Sequence, residues 1–243
     1  MTKVRINRYI ASTGAISRRK ADDLITQGRV KINDKEAVLG DTLDPDKDAV
    51  TLDGKCVTRQ NTLLVAMYKP KYVLTTMYDP HGRPCINDLI PKQLQGVFPV
   101  GRLDFDAEGL LILTNDGDLS HSLHHPSFHV PKVYLVNVTP KASPEAMKQM
   151  ETGIFLDGRK TLPAKVTEEH ARSEGSALRI TLVQGLKNQI KRMAAQVGLR
   201  VESIKRISIG PVLLKGMSPG QIRQMSQSEE GALYKILKKH KKP

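Results

Sequence analysis

Between Gly101 and Gly117 the chain reads Gly-Arg-Leu-Asp-Phe-Asp-Ala-Glu-Gly-Leu-Leu-Ile-Leu-Thr-Asn-Asp-Gly. Three carboxylates, Asp104, Asp106 and Glu108, thus fall within five residues, just ahead of a glycine and an apolar run. A carboxylate held in a loop beside a sheet can serve as a nucleophile or a general base. Two of them flanking one bond can instead cleave a glycosidic linkage. The same spacing suits a polar loop whose acids cap turns, and Asn115-Asp116-Gly117 has turn composition. A second cluster, His121, His124, His125 and His129, has a spacing that could set some rings on one helical face as zinc ligands. No acid or thiol accompanies it there, and Pro126 would end the helix, so phosphate contact or a surface role fits better and no metal is expected.

The elements around the acidic segment predict an α+β fold without strict βαβ alternation and without a glycine-rich phosphate loop. Strands are expected at Leu63–Met67, Tyr72–Met77, Leu110–Leu113, Val133–Val138, around Val166 and at Leu178–Val183. Ser143-Pro144 starts a helix that Gly153 ends. Ile190, Met193, Ala194 and Val197 mark an amphipathic helix over 188–197 that Gly198 stops. Ser226 and Glu229 form a capping box for a helix to about Leu237, and a frayed basic arm follows from about residue 238. Nearer the N-terminus, Ile6, Tyr9 and Ile10 recur at helical spacing. Ser17 caps a second helix with Ala21, Leu24 and Ile25 as its apolar face and Gly28 as its stop. The residue pattern changes near position 61, which divides the chain into 1–60 and 62–243.

Charge gives the partner class. The 243 residues carry 38 Lys and Arg against 25 Asp and Glu, a formal net charge of +13, which favours a polyanion and nucleic acid above all. Residues 1–35 hold nine of the cations against Asp22, Asp23 and Asp34, and the stretch from Glu36 to Asp53 reverses sign. Arg18, Arg19 and Lys20 fall in the first turn of the second helix, where the helix dipole disfavours cations but the backbone N–H groups favour phosphate. A second basic stretch runs from Lys187 to Arg223 with Glu202 as its single acid. Apolar runs such as Gly109–Leu113 are far shorter than the roughly 20 residues that span a bilayer, and no apolar stretch follows the charges of Lys3 and Arg5, so no signal peptide is expected. Cys56 and Cys85 match neither a disulfide framework nor a metal pair, so a cytoplasmic location is expected.

Two resemblances sharpen this reading. Val4-Arg5-Ile6-Asn7-Arg8-Tyr9-Ile10-Ala11, Ser17-Arg18-Arg19-Lys20-Ala21-Asp22-Asp23-Leu24-Ile25 and Gly28-Arg29-Val30-Lys31-Ile32-Asn33 resemble the S4 RNA-binding domain. That likeness implies RNA contacts from Arg5, Arg8, Arg18, Arg19, Lys20 and Arg29. Gly101-Arg102-Leu103-Asp104 resembles the catalytic motif of pseudouridine synthases, in particular the RsuA/RluB group, which modifies ribosomal RNA and carries an N-terminal S4 domain. Tyr68-Lys69-Pro70, Pro131-Lys132-Val133-Tyr134-Leu135-Val136, the run from Leu182 to Met193 and Arg206-Ile207-Ser208-Ile209-Gly210 extend the match over nearly the whole chain.

The resemblance implies an S4-like domain followed by a catalytic domain on a mostly antiparallel sheet with flanking helices. It makes Asp104 the residue that helps break the N1–C1′ bond of a uridine, whose uracil then turns and rejoins through C5. Whether Asp104 attacks C1′ or takes the C2′ proton stays open. Either role needs the ionised form, and the family places a cation from the motif here read as Gln189-Ile190-Lys191 beside it, so Lys191 is expected to face Asp104. Arg102 would fill the space left by the flipped nucleotide, Tyr134 would stack on the uracil and Ile190 would cover its other side; Gln189 belongs to the same substrate contact. Residues alone would make Tyr134 and Ile190 core positions. No cofactor is implied for an isomerisation. The partner is ribosomal RNA or a pre-ribosomal particle, met by a monomer with no membrane. Asp79-Pro80-His81-Gly82-Arg83-Pro84 resembles a loop of the large-subunit enzymes, which favours 23S rRNA. Two alternatives remain at this point. A non-catalytic S4-domain RNA-binding or ribosome-assembly protein would be expected to lose Asp104, Tyr134 or Lys191. A nucleic-acid glycosidase using Asp104 with Asp106 or Glu108 would release free base.

Overall fold

The Ser17 hydroxyl accepts a hydrogen bond from Lys20 N at 3.2 Å and starts a helix as a side-chain cap. In the computed structural model, which describes residues 3–14, 16–124, 126–171 and 173–239, this is α2 (Arg18–Thr26), preceded by α1 (Ile6–Ala11). Ile6, Tyr9 and Ile10 meet Ala21, Leu24 and Ile25 in one core with Val30, Leu43 and Val50. Asn33 and Asp34, both at positive φ, turn the hairpin between Val30–Ile32 and Lys35–Glu36. Val50–Leu52 and Lys55–Cys56 complete an antiparallel four-stranded sheet. The chain clusters into two compact units: residues up to Leu63 with Pro91–Phe98 and Thr114–Gly117, and the remainder.

The second unit is built on a sheet of nine strands among the described residues. Its principal strands are β1 (Leu64–Lys69), β2 (Glu108–Thr114), β3 (Lys132–Thr139), β4 (Lys165–Ala171), β5 (Ser176–Leu182), β6 (Arg200–Ile209) and β7 (Ile222–Gln224), in the spatial order β4-β5-β3-β6-β2-β1-β7. The pairs β4–β5, β5–β3, β3–β6 and β1–β7 are antiparallel, and β6–β2 is parallel. Helices α3 (Gly117–His124), α4 (Pro144–Thr152), α5 (Gln189–Gln196) and α6 (Gln227–Lys239) flank it. Leu178, Ile180, Val136 and Val138 pack with Met150 of α4 and Met193 of α5 in one core. Leu110, Ile112, Ala66 and Ile209 pack with Leu119, Leu123 and Leu233 in another.

Two expectations are corrected. Tyr72–Met77 is not a strand: it holds an isolated bridge, Leu74 to Cys85, with Tyr72 in the left-handed region at φ 63. The buried Lys69 ammonium donates to the Pro70 and Val73 carbonyls at 2.9 and 2.7 Å, folding the backbone into a loop about itself. Conversely, β6 over ten residues was not foreseen as a strand. The expected arm after residue 238 begins inside α6, and its last four residues lie outside the described ones, as does His125.

Candidate active site

The three carboxylates of the acidic segment part company in space. Asp104 lines a cavity of about 710 Å3, whereas Asp106 is ion-paired with Lys191 at 2.6 Å and Glu108 accepts from the Tyr68 hydroxyl at 2.8 Å. Neither Asp106 nor Glu108 lines the cavity, so no second carboxylate joins Asp104 there among the described residues. The glycosidase arrangement of two carboxylates across one bond is therefore absent from this cavity.

Backbone anchors hold the segment that presents Asp104. Thr75 Oγ1 donates to the Leu103 carbonyl at 2.7 Å and accepts from Leu103 N at 3.2 Å. Tyr72 N donates to the Phe105 carbonyl, and the two rings meet edge-on at 5.7 Å. Ala107 N closes a turn onto the Asp104 carbonyl at 3.1 Å. Gly101 carries φ +71, and the His124 ring lies so close that a Cβ there would stand 2.9 Å from Nδ1. The segment Tyr72–Met77 thus serves as a brace for the loop, which explains its departure from a ladder.

Of the residues singled out by sequence, Arg102, Asp104, Tyr134, Gln189 and Ile190 all line the cavity. Tyr134 (8% exposed) and Ile190 (6%) also belong to one core cluster, so each packs in the core and borders the cavity at once. Gln189 is buried and accepts from Leu186 N at 3.0 Å, fixing the loop that leads into α5. Lys191 departs from expectation. One turn into α5, it reaches Asp106, two residues beyond the expected partner, and it is not a lining residue of the cavity. The residue that meets Asp104 is Asn188. With its amide nitrogen turned towards the carboxylate, it donates to Oδ2 at 2.9 Å and to Oδ1 at 3.2 Å. Asn188 occupies the N-cap position of α5 at φ 52, ψ 31, a left-handed conformation that asparagine tolerates well. Its position directly before a glutamine-led amphipathic helix was the available signal. The variant Asn188→Gly keeps that backbone and removes the amide, so turnover should fall about tenfold to a hundredfold with folding intact, as measured by single-turnover rates.

Cations ring the cavity. Arg102, Lys132, Lys187 and Arg206 line it together with His121 and His124. Partial desolvation, then the charges of Lys132, Arg102 and Arg206, hold His124 below its usual range and favour the neutral ring. Burial pushes Lys132 down to about 8, with Arg206 contributing. Lys69 is likewise held at about 8 by burial, although Asp106, Asp104 and Glu108 pull the other way. Below about pH 8 Lys69 is protonated in both the folded and the unfolded chain, so the cost of burying its charge is fully present. Between about pH 8 and 10.5 the unfolded chain binds the proton more readily, so stability rises with pH through that window. Lys69→Met should flatten the rise by on the order of 3 kcal/mol, measured as the difference between the two proteins' denaturation curves across that range.

Outside the cavity, Arg18, Arg19 and Lys20 stand exposed at the start of α2, and Arg5 is exposed at the start of α1. Arg8 is half-buried. Arg29 is committed to Asp53 through two bonds of 2.7 and 2.6 Å, so its guanidinium already has an internal partner. No group of three or more His, Cys, Asp or Glu suited to a metal occurs among the described residues. No helix among them is long and apolar enough to cross a membrane.

Residues 63–196 match the RNA pseudouridylate synthase family, and residues 4–48 match the S4 domain. An RNA pseudouridine synthase of Aquifex aeolicus is 40% identical over 239 residues, which cover 98% of this chain and 96% of the relative. Ribosomal large subunit pseudouridine synthase B of Bacillus subtilis is 33% identical over 93% of both chains. The dual-specificity RNA pseudouridine synthase RluF of Escherichia coli is 36% identical over 97% of this chain and 80% of its own. Among solved structures, a pseudouridylate synthase superposes with a TM-score of 0.68 at 29% identity, covering 95% of this chain and 99% of that one. A cavity with one carboxylate on an anchored loop, an S4 domain ahead of it and relatives matched from end to end lead to one assignment: the chain belongs to the RNA pseudouridine synthases.

Proposed function

We propose that this enzyme converts a specific uridine of large-subunit ribosomal RNA, free or within a pre-ribosomal particle, and that it acts as a monomer in the cytoplasm. The observation that carries the proposal is the separation of the three carboxylates, which leaves Asp104 as the one that faces a basic cavity of nucleotide size. Residues 1–60 dock the RNA and residues 62–243 perform the chemistry. Asp104 acts on the ribose at C1′ or C2′, assisted by Asn188. Tyr134 and Ile190 enclose the uracil, Gln189 fixes the loop beside it, and Arg102 holds the flipped nucleotide from the rim. Lys191 acts as a positioning residue: its ion pair with Asp106 fixes the loop two residues beyond Asp104. The large-subunit target is supported by the Asp79–Pro84 loop, closed by an Asp79–Arg83 ion pair at 2.7 Å, and by the Bacillus subtilis relative.

Unmodified transcripts of both ribosomal RNAs, and particles containing them, would be incubated with the protein and mapped chemically for pseudouridine. A new pseudouridine in the large-subunit RNA is expected; modification confined to the small subunit would overturn the substrate assignment. The docking role is tested separately. Replacing Arg18, Arg19 and Lys20 with glutamine should weaken RNA binding and lower the slope of log affinity against log salt by roughly two to three. An unchanged slope would remove α2 from the interface.

A further inference from the structure

Arg206 is a charged side chain that the roles above leave unused. It is 2% exposed, yet it lines the cavity. Nε donates to the Leu110 carbonyl at 2.7 Å and Nη1 reaches the Arg102 carbonyl at 3.4 Å, while Nη2 is buried without a hydrogen-bond partner among the described residues. A cationic N–H buried without an acceptor is costly, and one that borders a cavity is positioned to donate to whatever polar group enters it. Arg206 lies opposite Tyr134 in the β3–β6 register, with its guanidinium carbon 6.0 Å from the ring centroid. Lys132, two residues before Tyr134, shares its face of β3 and also lines the cavity. Its Nζ donates over a long 3.3 Å to the Val130 carbonyl.

We propose that Arg206 and Lys132 form an anion-stabilising subsite for the uracil itself, donating to its carbonyl oxygens as the glycosidic bond breaks. The proposal rests on the reading of the cavity as the uridine site. When N1–C1′ breaks, its electron pair stays with the uracil and spreads over O2 and O4. Asp104 meanwhile bonds C1′, or takes the C2′ proton and later returns it. Formation of the C5–C1′ bond consumes the uracil's charge and frees Asp104; C5 then gives up its proton and N1 takes one up, which leaves the neutral isomerised base. Charge therefore develops on the base for only part of the cycle, and fixed donors aimed at that place stabilise the transition state more than the bound uridine.

The depth of the two side chains favours the base over a phosphate. Phosphates stay on the RNA strand passing the rim, where the exposed Arg102 stands, whereas Arg206 is reached only from inside the cavity. With its acidity held at about 8, Lys132 still carries its proton and charge at neutral pH.

The test compares full-length wild type, Lys132→Met, Arg206→Lys and Arg206→Met in single turnover. The RNA carries uridine or 5-fluorouridine at the target, and loss of the N-glycosidic nucleoside is read after digestion. Fluorine at C5 withdraws electrons and stabilises the uracil anion by itself, so it should substitute for the missing cation. Lys132→Met should slow uridine by about a hundredfold and 5-fluorouridine by less than about tenfold. Arg206→Lys should show a smaller loss with the same substrate dependence. Arg206→Met also releases the Leu110 carbonyl of β2 and the Arg102 carbonyl of the loop, so Lys132→Met decides the matter if that variant does not fold. Equal losses on the two RNAs, or a loss confined to RNA affinity as for a phosphate contact, would overturn the proposal. A wild type that forms no pseudouridine in any ribosomal RNA would instead overturn the reading on which the subsite rests, and the subsite with it.

Discussion

Asp104→Asn should lower the rate of pseudouridine formation by at least about four orders of magnitude while the protein folds and binds RNA as before. The replacement is close to isosteric, so the turn onto Ala107 N and the Thr75 brace, which bind backbone atoms, are untouched. What disappears is the negative charge, without which the group is neither a nucleophile at C1′ nor a base at C2′. RNA affinity should hold or tighten slightly, because the variant removes an anion from a cavity lined by Arg102, Lys132 and Arg206. The informative control is Asp106→Asn. Its ion pair with Lys191 is about half exposed on the carboxylate side, and such a pair contributes at most about 1 kcal/mol to stability. Conversion should therefore fall by no more than about tenfold in that variant. Single-turnover rates on the same transcript decide between them. Loss of activity in Asp106→Asn with survival in Asp104→Asn would move the chemistry to the Lys191 pair.

The order of those two carboxylates shows where sequence stops being readable. The Gly-Arg-Leu-Asp run and the positions of Tyr134, Gln189 and Ile190 could be picked out because short motifs that resemble a family carry them, whereas residue type alone would have left Tyr134 and Ile190 in the core; the cavity brings all of them together. Which acid meets which cation depends on the pitch of α5 against the loop after Asp104, and sequence spacing does not encode that. Asn188 was passed over because its contact depends on a left-handed backbone and on the orientation of an amide. The β6 strand was missed for a related reason. Its inward positions include the buried Arg206, and an inward arginine breaks the apolar alternation by which a strand is recognised. In the reverse sense, Tyr72–Met77 has the composition of a strand but is bent around the Lys69 ammonium. Capped helices such as α2 and α4 were legible since Ser17 and Ser143 act locally, each accepting from a backbone N–H three residues on.

The same buried arginine couples fold and site at Gly109, and Gly109→Ala should be a strongly damaging single-methyl change. Gly109 is paired with Arg206 where β2 and β6 run parallel, and it sits at φ +114, which L side chains rarely adopt. A Cβ there would lie 2.3 Å from the Arg206 carbonyl oxygen and 2.7 Å from its nitrogen, both backbone atoms that cannot rotate away. Two costs add: overpacking of the strand pair, and strain at a positive φ. Together they come to about 3–5 kcal/mol, a large part of the stability of an ordinary domain. The thermal midpoint should drop by roughly 10 °C or more. Relief requires β2 and β6 to separate, which lengthens the 2.7 Å bond from Arg206 Nε to the Leu110 carbonyl and weakens the 3.4 Å contact of Nη1 with the Arg102 carbonyl, in the loop that presents Asp104. Activity at a temperature where the variant is still folded should therefore fall as well, beyond what the folded fraction explains. Gly231→Ala supplies the contrast, since Gly231 lies within α6 and an added methyl there would meet nothing within 4 Å. At that position the change should raise stability by about 0.5–1 kcal/mol and leave turnover alone. Equal midpoints for the two variants in calorimetry would mean that the β2–β6 approach is looser than its geometry requires.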